Sequence, residues 1–388
     1  MIRGAKRGRN VRFSGLPVAV IAACALAASM GLSSAIADDA DSCRNGTGDA
    51  KITACTRVID SGRLQDHDLA AAYMNRGAAY RDGHDLDRAL SDLDQAVRLD
   101  PNFADAYRNR GIAYRSKGEP DRAIADYNAA IRLDPNFAQA FNARGVAYGS
   151  KGEVDRAIAD YTEAIRLDPG YVRPYANRCA AYRDMGQTER GLADCNEAIR
   201  IDPRYANSYL HRGIAYSDKG DGDRAIADFD EAIRIDPRLA EAYAYRGLAF
   251  HDKGDDVRAI ADLDEAVRID PDSAEVHSSR GLVYSDEGDF GRAIADFDEA
   301  IRIAPKIAVV YLARGIAYGS KEDHDHAIAD FNEAIGLDPE NAMAYFLRGL
   351  EKVITGDVDG GKADIAKAKA LDPTVEKWFK RSGRSMRG

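Results

Sequence analysis

The sequence lacks the short motifs by which many enzymes are recognised. It contains no P-loop, no HExxH, no GxSxG, no GxGxxG and no CxxC, so neither nucleotide and hydrolase chemistry nor thiol–disulfide exchange is indicated. Outside the repeats described below, no stretch of about 100 residues remains for a separate catalytic domain. We therefore expect a non-enzymatic protein that needs no cofactor.

The sequence also lacks an excess of positive charge. Its 54 lysines and arginines are outnumbered by 64 aspartates and glutamates, which gives a net charge of −10. The first 37 residues contain five basic and no acidic residues, so their removal would change the net charge from −10 to −15. Nonspecific nucleic-acid binding needs a basic face, and anionic lipid attracts basic segments. Neither is an expected partner.

What the sequence does contain is one pattern repeated at a fixed interval. Residues 104–137 read ADAYRNRGIAYRSKGEPDRAIADYNAAIRLDPNF, and residues 138–171 read AQAFNARGVAYGSKGEVDRAIADYTEAIRLDPGY. A proline recurs every 34 residues from Pro101 to Pro373, and a period of this length indicates a repeat array. The nine repeats, numbered 1 to 9, are predicted at 70–103, 104–137, 138–171, 172–205, 206–239, 240–273, 274–307, 308–341 and 342–375.

Each repeat is predicted to form two helices. In repeat 2, Tyr107, Gly111 and Tyr114 share one helical face, and a second apolar face begins after Asp121. Pro135 ends the second helix because proline disfavours helical geometry in the residue before it. Glycine is costly inside a helix, so its recurrence at the position of Gly111 predicts a close approach of the two helices.

This pattern resembles the tetratricopeptide repeat family over residues 70–375. The matching residues in repeat 2 are Tyr107, Gly111, Tyr114, Ala123, Tyr127, Ala130 and Pro135. The resemblance implies an all-α fold, a right-handed superhelical α-solenoid of nine stacked helix-turn-helix repeats with caps at both ends. It also implies a concave groove, lined mainly by the first helices, that binds peptides or partner proteins.

Residues 1–37 have the pattern of a bacterial export signal. A basic start precedes a mainly apolar run, and Ala35-Ile36-Ala37 forms a small-x-small cleavage site. Ile21-Ala22-Ala23-Cys24 is an alternative lipoprotein site that would lipidate Cys24, and an uncleaved anchor is a third interpretation. We expect a periplasmic or secreted protein, or alternatively a membrane-anchored lipoprotein. Membrane contact is expected only if Cys24 is lipidated or the N-terminal segment is retained.

The segments next to the repeats are predicted to cover the ends of the array. In the leader, residues 38–69, we expect an irregular stretch to Asp49 and then a helix to Ile59 with Ile52 and Cys55 on its buried side. Repeat 9 is degenerate, and Trp378 is expected to pack against it. The basic tail, residues 376–388, is either a solvated helix end or a contact for an acidic partner or the membrane surface.

Four cysteines follow the predicted cleavage site, which suits two disulfides in an oxidising compartment. Cys179 occupies the glycine position of repeat 4, and Cys195 occupies an aromatic position of its second helix. These positions oppose each other in an antiparallel pair, so we predict a Cys179–Cys195 disulfide and, by elimination, Cys43–Cys55. The alternative is four buried free thiols.

Every repeat also carries an arginine before the glycine position and an aspartate in its second helix. Arg110 and Asp126 are the pair in repeat 2. Because the guanidinium matches carboxylate geometry, we predict a structural ladder of Arg–Asp pairs within or between repeats rather than a shared functional site.

The side chains predicted to line the groove change along the chain. They are Asn75, Arg81, Arg108, Asn109, Arg115, Asn142, Asn177 and Arg183 in repeats 1–4, and Leu210, His211, Tyr245, Leu248, His251, Leu282, Leu312, Ile316, Phe346 and Leu347 in repeats 5–9. Asparagine can hold a peptide backbone, and arginine can bind a carboxylate at two points. The hypothesis is an extended partner segment, acidic at one end and apolar at the other; a merely solvated inner face is the alternative.

Taken together, the sequence predicts an exported scaffold or adaptor that binds a protein or peptide partner through this groove. A structural or assembly component of the cell envelope that self-associates is the alternative function. Glu322-Asp323-His324-Asp325-His326 is the one dense cluster of potential metal ligands. It falls in a turn between helices and offers no closed set of four ligands, so no metal site is expected.

Overall fold

The computed structural model describes residues 38–377, and every regular element within them is a helix. The first described helix, α1, includes residues 38–45, and α2 spans Gly48–Asp60. Nine helix pairs follow along the described residues: α3 (Asp66–Asp82) with α4 (Leu86–Leu99), α5 (Ala104–Ser116) with α6 (Pro120–Leu133), α7 (Ala138–Ser150) with α8 (Val154–Leu167), α9 (Val172–Asp184) with α10 (Thr188–Ile201), α11 (Ala206–Asp218) with α12 (Gly222–Ile235), α13 (Ala240–Asp252) with α14 (Asp256–Ile269), α15 (Ala274–Asp286) with α16 (Phe290–Ile303), α17 (Ala308–Ser320) with α18 (His324–Leu337), and α19 (Ala342–Ile354) with α20 (Val358–Leu371).

This arrangement confirms the predicted all-α solenoid of helix-turn-helix repeats. The predicted export signal at residues 1–37, the alternative lipidation site at Cys24, Trp378 and the tail beyond it lie outside the described residues. Among the described helices, none combines the length and the apolar character needed to cross a membrane.

The turn between the two helices of a repeat requires a residue with positive φ. Gly118 occupies this position in repeat 2 with a φ of +77°, a conformation that glycine adopts without a steric penalty. His84 and Glu322 take the same position in repeats 1 and 8, each with a φ of 62°. The second helix often starts with an aspartate cap, as where Asp221 accepts a hydrogen bond from the backbone N–H of Arg224.

The glycine position brings the two helices of a repeat into close contact, as predicted. A Cβ atom on Gly111 would lie 2.6 Å from Cε1 of Tyr127, whose ring is fully buried. The ring of Phe229 lies in the same way against Gly213, where an added Cβ atom would be 2.6 Å from Cε1 of the ring. Glycine therefore makes room for an aromatic ring of the second helix, which forms the centre of each of these repeats.

The described residues form two compact units, one ending at Pro169 and the other beginning at Gly170. Unit 1 contains α1–α8, and unit 2 contains α9–α20. Within each unit, consecutive helices pack on each other and the first helices of neighbouring repeats are in contact. Within the described residues of each unit, the Cα atoms of different second helices are all more than 8 Å apart. The first helices therefore present a connected surface in each unit, which we call the first-helix face.

The leader differs from its prediction in two respects. Residues 38–45 form a helix instead of an irregular stretch, and a salt bridge of 2.5 Å between Asp39 and Arg57 connects this helix to α2. The buried side of α2 carries Ala54, Cys55 and Val58, while the predicted Ile52 is only partly buried. Helices α1 and α2 thus pack against each other through Cys43 and Cys55. As a result, the buried side of α2 includes Ala54 and Val58 beside Cys55, instead of Ile52 beside Cys55 as predicted.

Candidate binding faces

The Arg–Asp ladder is present in all nine described repeats and holds the first-helix faces in place. Arg110 donates two hydrogen bonds to Asp126, of 2.8 and 2.6 Å, and a third of 2.8 Å to Asp94 of the preceding repeat. The corresponding pairs are Arg76–Asp92, Arg144–Asp160, Arg178–Asp194, Arg212–Asp228, Arg246–Asp262, Arg280–Asp296, Arg314–Asp330 and Arg348–Asp364. The ladder therefore joins helices within a repeat and, through the third bond, adjacent repeats.

These arginines are used by the fold and are not available to a partner. The Arg110 side chain is 18% exposed and that of Asp126 is 8% exposed. The hydrogen bonds to Asp126 outweigh burial and raise the pKa of Arg110 above its already high ordinary value. The guanidinium is permanently charged and fully engaged, which confirms the structural interpretation of the ladder.

In unit 1, several predicted groove residues form one polar cluster. Arg81 donates to Asp82 at 2.7 Å and to the side-chain oxygen of Asn109 at 3.1 Å. The Asn109 amide donates back to the carbonyl oxygen of Asp105 at 2.9 Å. Asn109 is buried, and its side chain holds Arg81 in place instead of facing solvent.

Two other arginines of unit 1 are better placed to meet a partner. Arg108 lies 5.5 Å from the ring centroid of Phe137 and 3.4 Å from Asp105, and its buried Nε has no hydrogen-bond partner among the described residues. Arg115, about two turns further along α5, is exposed. The structure thus groups Arg108 and Arg115 with Arg81 on the face of this unit.

The remaining amides of unit 1 do not join this group. Asn142 is buried, and Asn75 lines a separate cavity of about 230 Å³ beneath the leader. The full amide set predicted for the groove is therefore not assembled on one surface.

In unit 2, Arg183 and His211 lie at the start of the first-helix face. Arg183 forms a 2.7 Å salt bridge with Asp184 and approaches Asp218 at 3.7 Å. Burial, together with the nearby Arg183 charge, lowers the pKa of His211 to about 4, so this imidazole is neutral at pH 7. Its Nδ1 atom is buried without a hydrogen-bond partner among the described residues. Asn177, the remaining predicted amide, is partly buried.

The apolar residues predicted for repeats 5–9 divide into two groups. Leu210, Phe346 and Leu347 do not line a surface, because they are buried at 1%, 4% and 8% exposure within the helix packing. Their positions on the first helix turn these three side chains towards neighbouring helices. The other group is at least partly exposed and comprises Leu248, Leu282, Leu312 and Ile316, of which Leu282 is 47% exposed.

Sequence reasoning also missed residues on the unit 2 face. Val309 and Ile354 are 63% and 58% exposed on first helices. Asp218, Asp252 and Asp286 end α11, α13 and α15 and are exposed. The sequence does contain a signal for these aspartates, because they recur at an interval of 34 residues and so occupy one repeat position. A search restricted to amides, arginines and large apolar side chains does not detect it.

The histidine-rich turn of repeat 8 is used internally. His324 lies 2.6 Å from Glu351, and His326 lies 2.8 Å from Asp323 while stacking on Tyr318 at 5.0 Å. Across residues 38–377, no group of three or more potential ligands could hold a metal ion.

His251 connects two repeats and gives unit 2 a pH-dependent contact. Its Nδ1 lies 2.5 Å from Asp256 and its Nε2 lies 3.2 Å from Asp286 of the next repeat. Burial opposes protonation, but the hydrogen bonds to both aspartates outweigh it and raise the pKa of His251. The contribution to stability is therefore complete below about pH 6.5 and is lost as the pH rises through the raised pKa.

We expect the His251→Gln substitution to be more destabilising at pH 5.5 than at pH 8.5, because glutamine cannot gain the charge that pairs with the two aspartates. Urea denaturation of both proteins at both pH values measures the difference. Comparing the variant with the wild type at each pH cancels the titration of all other groups. An equal loss of stability at the two pH values would contradict the assignment.

Comparison with known families and structures agrees with the fold. Family models described as TPR repeat match residues 77–118 and 111–152. Models described as tetratricopeptide repeat match residues 138–171, 180–240, 210–274, 274–307 and 308–341. No curated protein matches the sequence.

Solved structures share the fold at low sequence identity. A tetratricopeptide repeat protein from Parabacteroides merdae is 20% identical with a TM-score of 0.53, over 64% of this chain and 98% of that chain. A chain of the APC/C hetero-tetramer Cut9–Hcn1 is 15% identical with a TM-score of 0.57, over 86% of this chain and 83% of that one. IFIT1 in a structure with m7Gppp-AAAA is 13% identical with a TM-score of 0.59, over 82% and 86%. At these identities the likeness shows the fold alone.

Proposed function

Because the chain belongs to the tetratricopeptide repeat family, we propose that it is an exported, non-enzymatic scaffold that binds partner proteins or peptides on its first-helix faces. The observation that carries this proposal is the contrast between the two sets of side chains on the first helices. The arginines of the ladder repeat nine times, and each is paired with an aspartate of its own repeat, as Arg110 is with Asp126. The outward positions change from repeat to repeat, as expected of residues that distinguish a partner.

The face of unit 1 suits an acidic segment. Arg115 is exposed, and Arg108 is held between Phe137 and Asp105 with an unsatisfied buried Nε. Arginine binds carboxylates through two parallel hydrogen bonds, and ordering of the side chain before binding lowers the entropy cost. The side chain of Asn109 donates a hydrogen bond to the Asp105 carbonyl oxygen and accepts one from Arg81, which holds Arg81 in the same cluster.

Export is supported by the cysteines. The Sγ atoms of Cys43 and Cys55 lie 2.04 Å apart, and those of Cys179 and Cys195 lie 2.11 Å apart. Both predicted pairs are thus at disulfide distance, which suits an oxidising compartment such as the periplasm or the exterior. Cleavage of the export signal gives a free protein, and lipidation of Cys24 gives a membrane-anchored one.

We expect the double substitution Arg108→Glu plus Arg115→Glu to weaken binding of an acidic peptide by about ten-fold or more, because two charge-assisted contacts become repulsive. The probe is a fluorescein-labelled peptide of alternating glutamate and alanine with a free C-terminal carboxylate, followed by fluorescence anisotropy. The matched control is Arg98→Glu plus Arg132→Glu, which makes the same charge change at exposed positions of second helices in unit 1.

The two double variants separate a specific face from general electrostatics. Equal weakening by both would show that only net charge matters and would count against the unit 1 face. Circular dichroism of each variant checks that the helices remain formed. Light scattering of the wild type tests the alternative function, since a stable homo-oligomer with no peptide binding would favour an assembly component.

A further inference from the structure

The first-helix face of unit 2 differs in chemistry from that of unit 1. One repeat position is aliphatic in all of repeats 5–9, as it also is at Ile112 and Val146 of unit 1, and in unit 2 carboxylates flank it as described below. These residues are Ile214, Leu248, Leu282, Ile316 and Leu350. Ile214 is buried in the core, and the other four, which are at least partly exposed, form what we call the apolar stripe. The helices that carry the five residues, α11, α13, α15, α17 and α19, contact one another in that order. Leu282, on α15, is the most exposed of these residues at 47%.

Carboxylates lie at both ends of the helices on this face. Asp218, Asp252 and Asp286 are the last residues of their first helices, and all three are exposed. Glu241 and Glu275 lie in the first turns of α13 and α15 and are also exposed. An apolar residue near the middle of each helix is therefore flanked by acidic side chains within about one to two helical turns.

The aspartates are placed against a local rule of helix stability. A negative charge at the C-terminal end of a helix is disfavoured by the helix dipole. Asp218, Asp252 and Asp286 occupy this position in three successive repeats, whereas serine occupies it in repeats 2 and 3. Asp218 and Asp286 each lie near a cationic side chain of another repeat, Arg183 at 3.7 Å and His251 at 3.2 Å, yet both carboxylates remain more than half exposed. The face therefore keeps exposed negative charge at a helix position that disfavours it.

We propose that the unit 2 first-helix face binds a cationic, amphipathic segment of a partner protein, in which apolar residues contact the stripe and lysines or arginines contact the flanking carboxylates. This rests on the proposed scaffold function and specifies the partner for this face. Charge complementarity sets the occupant, because a second copy of this acidic chain would bring further carboxylates to the same surface. Beyond repeat 7 the face becomes apolar, with Val309 and Ile354 exposed, so the apolar end of the segment lies towards repeats 8 and 9.

The test uses the full chain and two fluorescein-labelled peptides of 15 residues. Both peptides have the same leucines at every third position, and the remaining positions alternate alanine with lysine in one peptide and with glutamate in the other. Fluorescence anisotropy is expected to show binding of the lysine peptide about ten-fold or more tighter than that of the glutamate peptide, with an advantage that falls as salt is added.

A charge-reversal variant locates the contact. In Glu241→Lys plus Asp252→Lys the lysine peptide is expected to bind about ten-fold or more weakly, and the glutamate peptide to bind more tightly than it binds the wild type. A misfolded variant could not gain affinity for the second peptide. The matched control is Asp325→Lys plus Glu333→Lys, the same charge change at exposed positions of α18 on the second-helix side of unit 2, and it should leave the preference for the lysine peptide in place.

Two results would overturn the inference while leaving the scaffold function intact. One is a wild-type protein that binds the glutamate peptide as tightly as the lysine peptide. The other is a control variant that weakens lysine-peptide binding as much as the charge reversal does. Failure of both peptides to bind at millimolar concentration would instead remove peptide binding from this face altogether.

Discussion

Replacing Asp262 with asparagine is expected to lower the free energy of unfolding of unit 2 by about 3 kcal/mol, because it leaves a buried cation without its counter-charge. Arg246 donates two hydrogen bonds of 2.7 Å to the Asp262 carboxylate, and its side chain is only 19% exposed. An amide can accept one of these bonds but supplies no charge. The third bond of Arg246, to Asp230, is to an exposed residue and cannot compensate.

The matched control for Asp262→Asn lies in the next turn of the same helix. Glu265→Gln removes the partner of Arg268, but that arginine is 69% exposed, so we expect a change within about 0.5 kcal/mol. Urea denaturation followed by circular dichroism measures both variants. Replacing the pair together, as Arg246→Met plus Asp262→Leu, is expected to recover most of the loss. Equal small effects of Asp262→Asn and Glu265→Gln would contradict a structural role for the ladder.

The helices were predictable from the sequence because the signals that set them are local and recur. Pro135 ends a helix, Gly118 permits the turn, and Gly111 admits the ring of Tyr127, and each is repeated at an interval of 34 residues. Repetition also fixes the pairing of arginine with aspartate, since the two opposed positions are charged in every repeat. The residue types at these positions and their recurrence every 34 residues together determine where each helix begins, ends and packs.

The leader and the faces were less predictable because their structure depends on partners in space. Residues 38–45 are polar and carry no helical period, and their helix is supported by the Asp39–Arg57 salt bridge and the Cys43–Cys55 pair. Leu210 and Phe346 look like surface anchors on a single helix but are covered by adjacent helices. Which side of a first helix stays open is decided by the stacking of repeats, which a pattern within one repeat does not contain.

Repeat 4 shows how three substitutions replace aromatic packing with a covalent link. Cys179 stands at the glycine position, Cys195 stands where other repeats carry an aromatic, leucine or isoleucine side chain, and Gly191 stands where repeats 1–3 and 5–8 carry alanine. A Cβ on Gly191 would lie 2.8 Å from the backbone carbonyl oxygen of Cys179, so the two helices of repeat 4 are too close at this point for alanine. Together these changes enlarge the side chain on the first helix, at Cys179, and reduce the side chains on the second helix, at Gly191 and Cys195.

We expect loss of the Cys179–Cys195 disulfide to lower the free energy of unfolding of unit 2 by about 3 kcal/mol, the chain-entropy value for a loop of this size. The separation is 16 residues, and both cysteines are fully buried. Urea denaturation with and without dithiothreitol measures the loss in a Cys43→Ala plus Cys55→Ala background, which removes the contribution of the other pair.

The control restores the packing used by the other repeats. The triple variant Cys179→Gly, Gly191→Ala and Cys195→Phe recreates the glycine, alanine and aromatic set of repeat 5, in which Gly213 faces Phe229. It has no cross-link to lose, so dithiothreitol should leave its stability unchanged, while its core remains filled. If Cys179 and Cys195 react with iodoacetamide in denaturant without any reductant, the cross-link is absent, and the stability of repeat 4 must then come from the packing of two buried thiols.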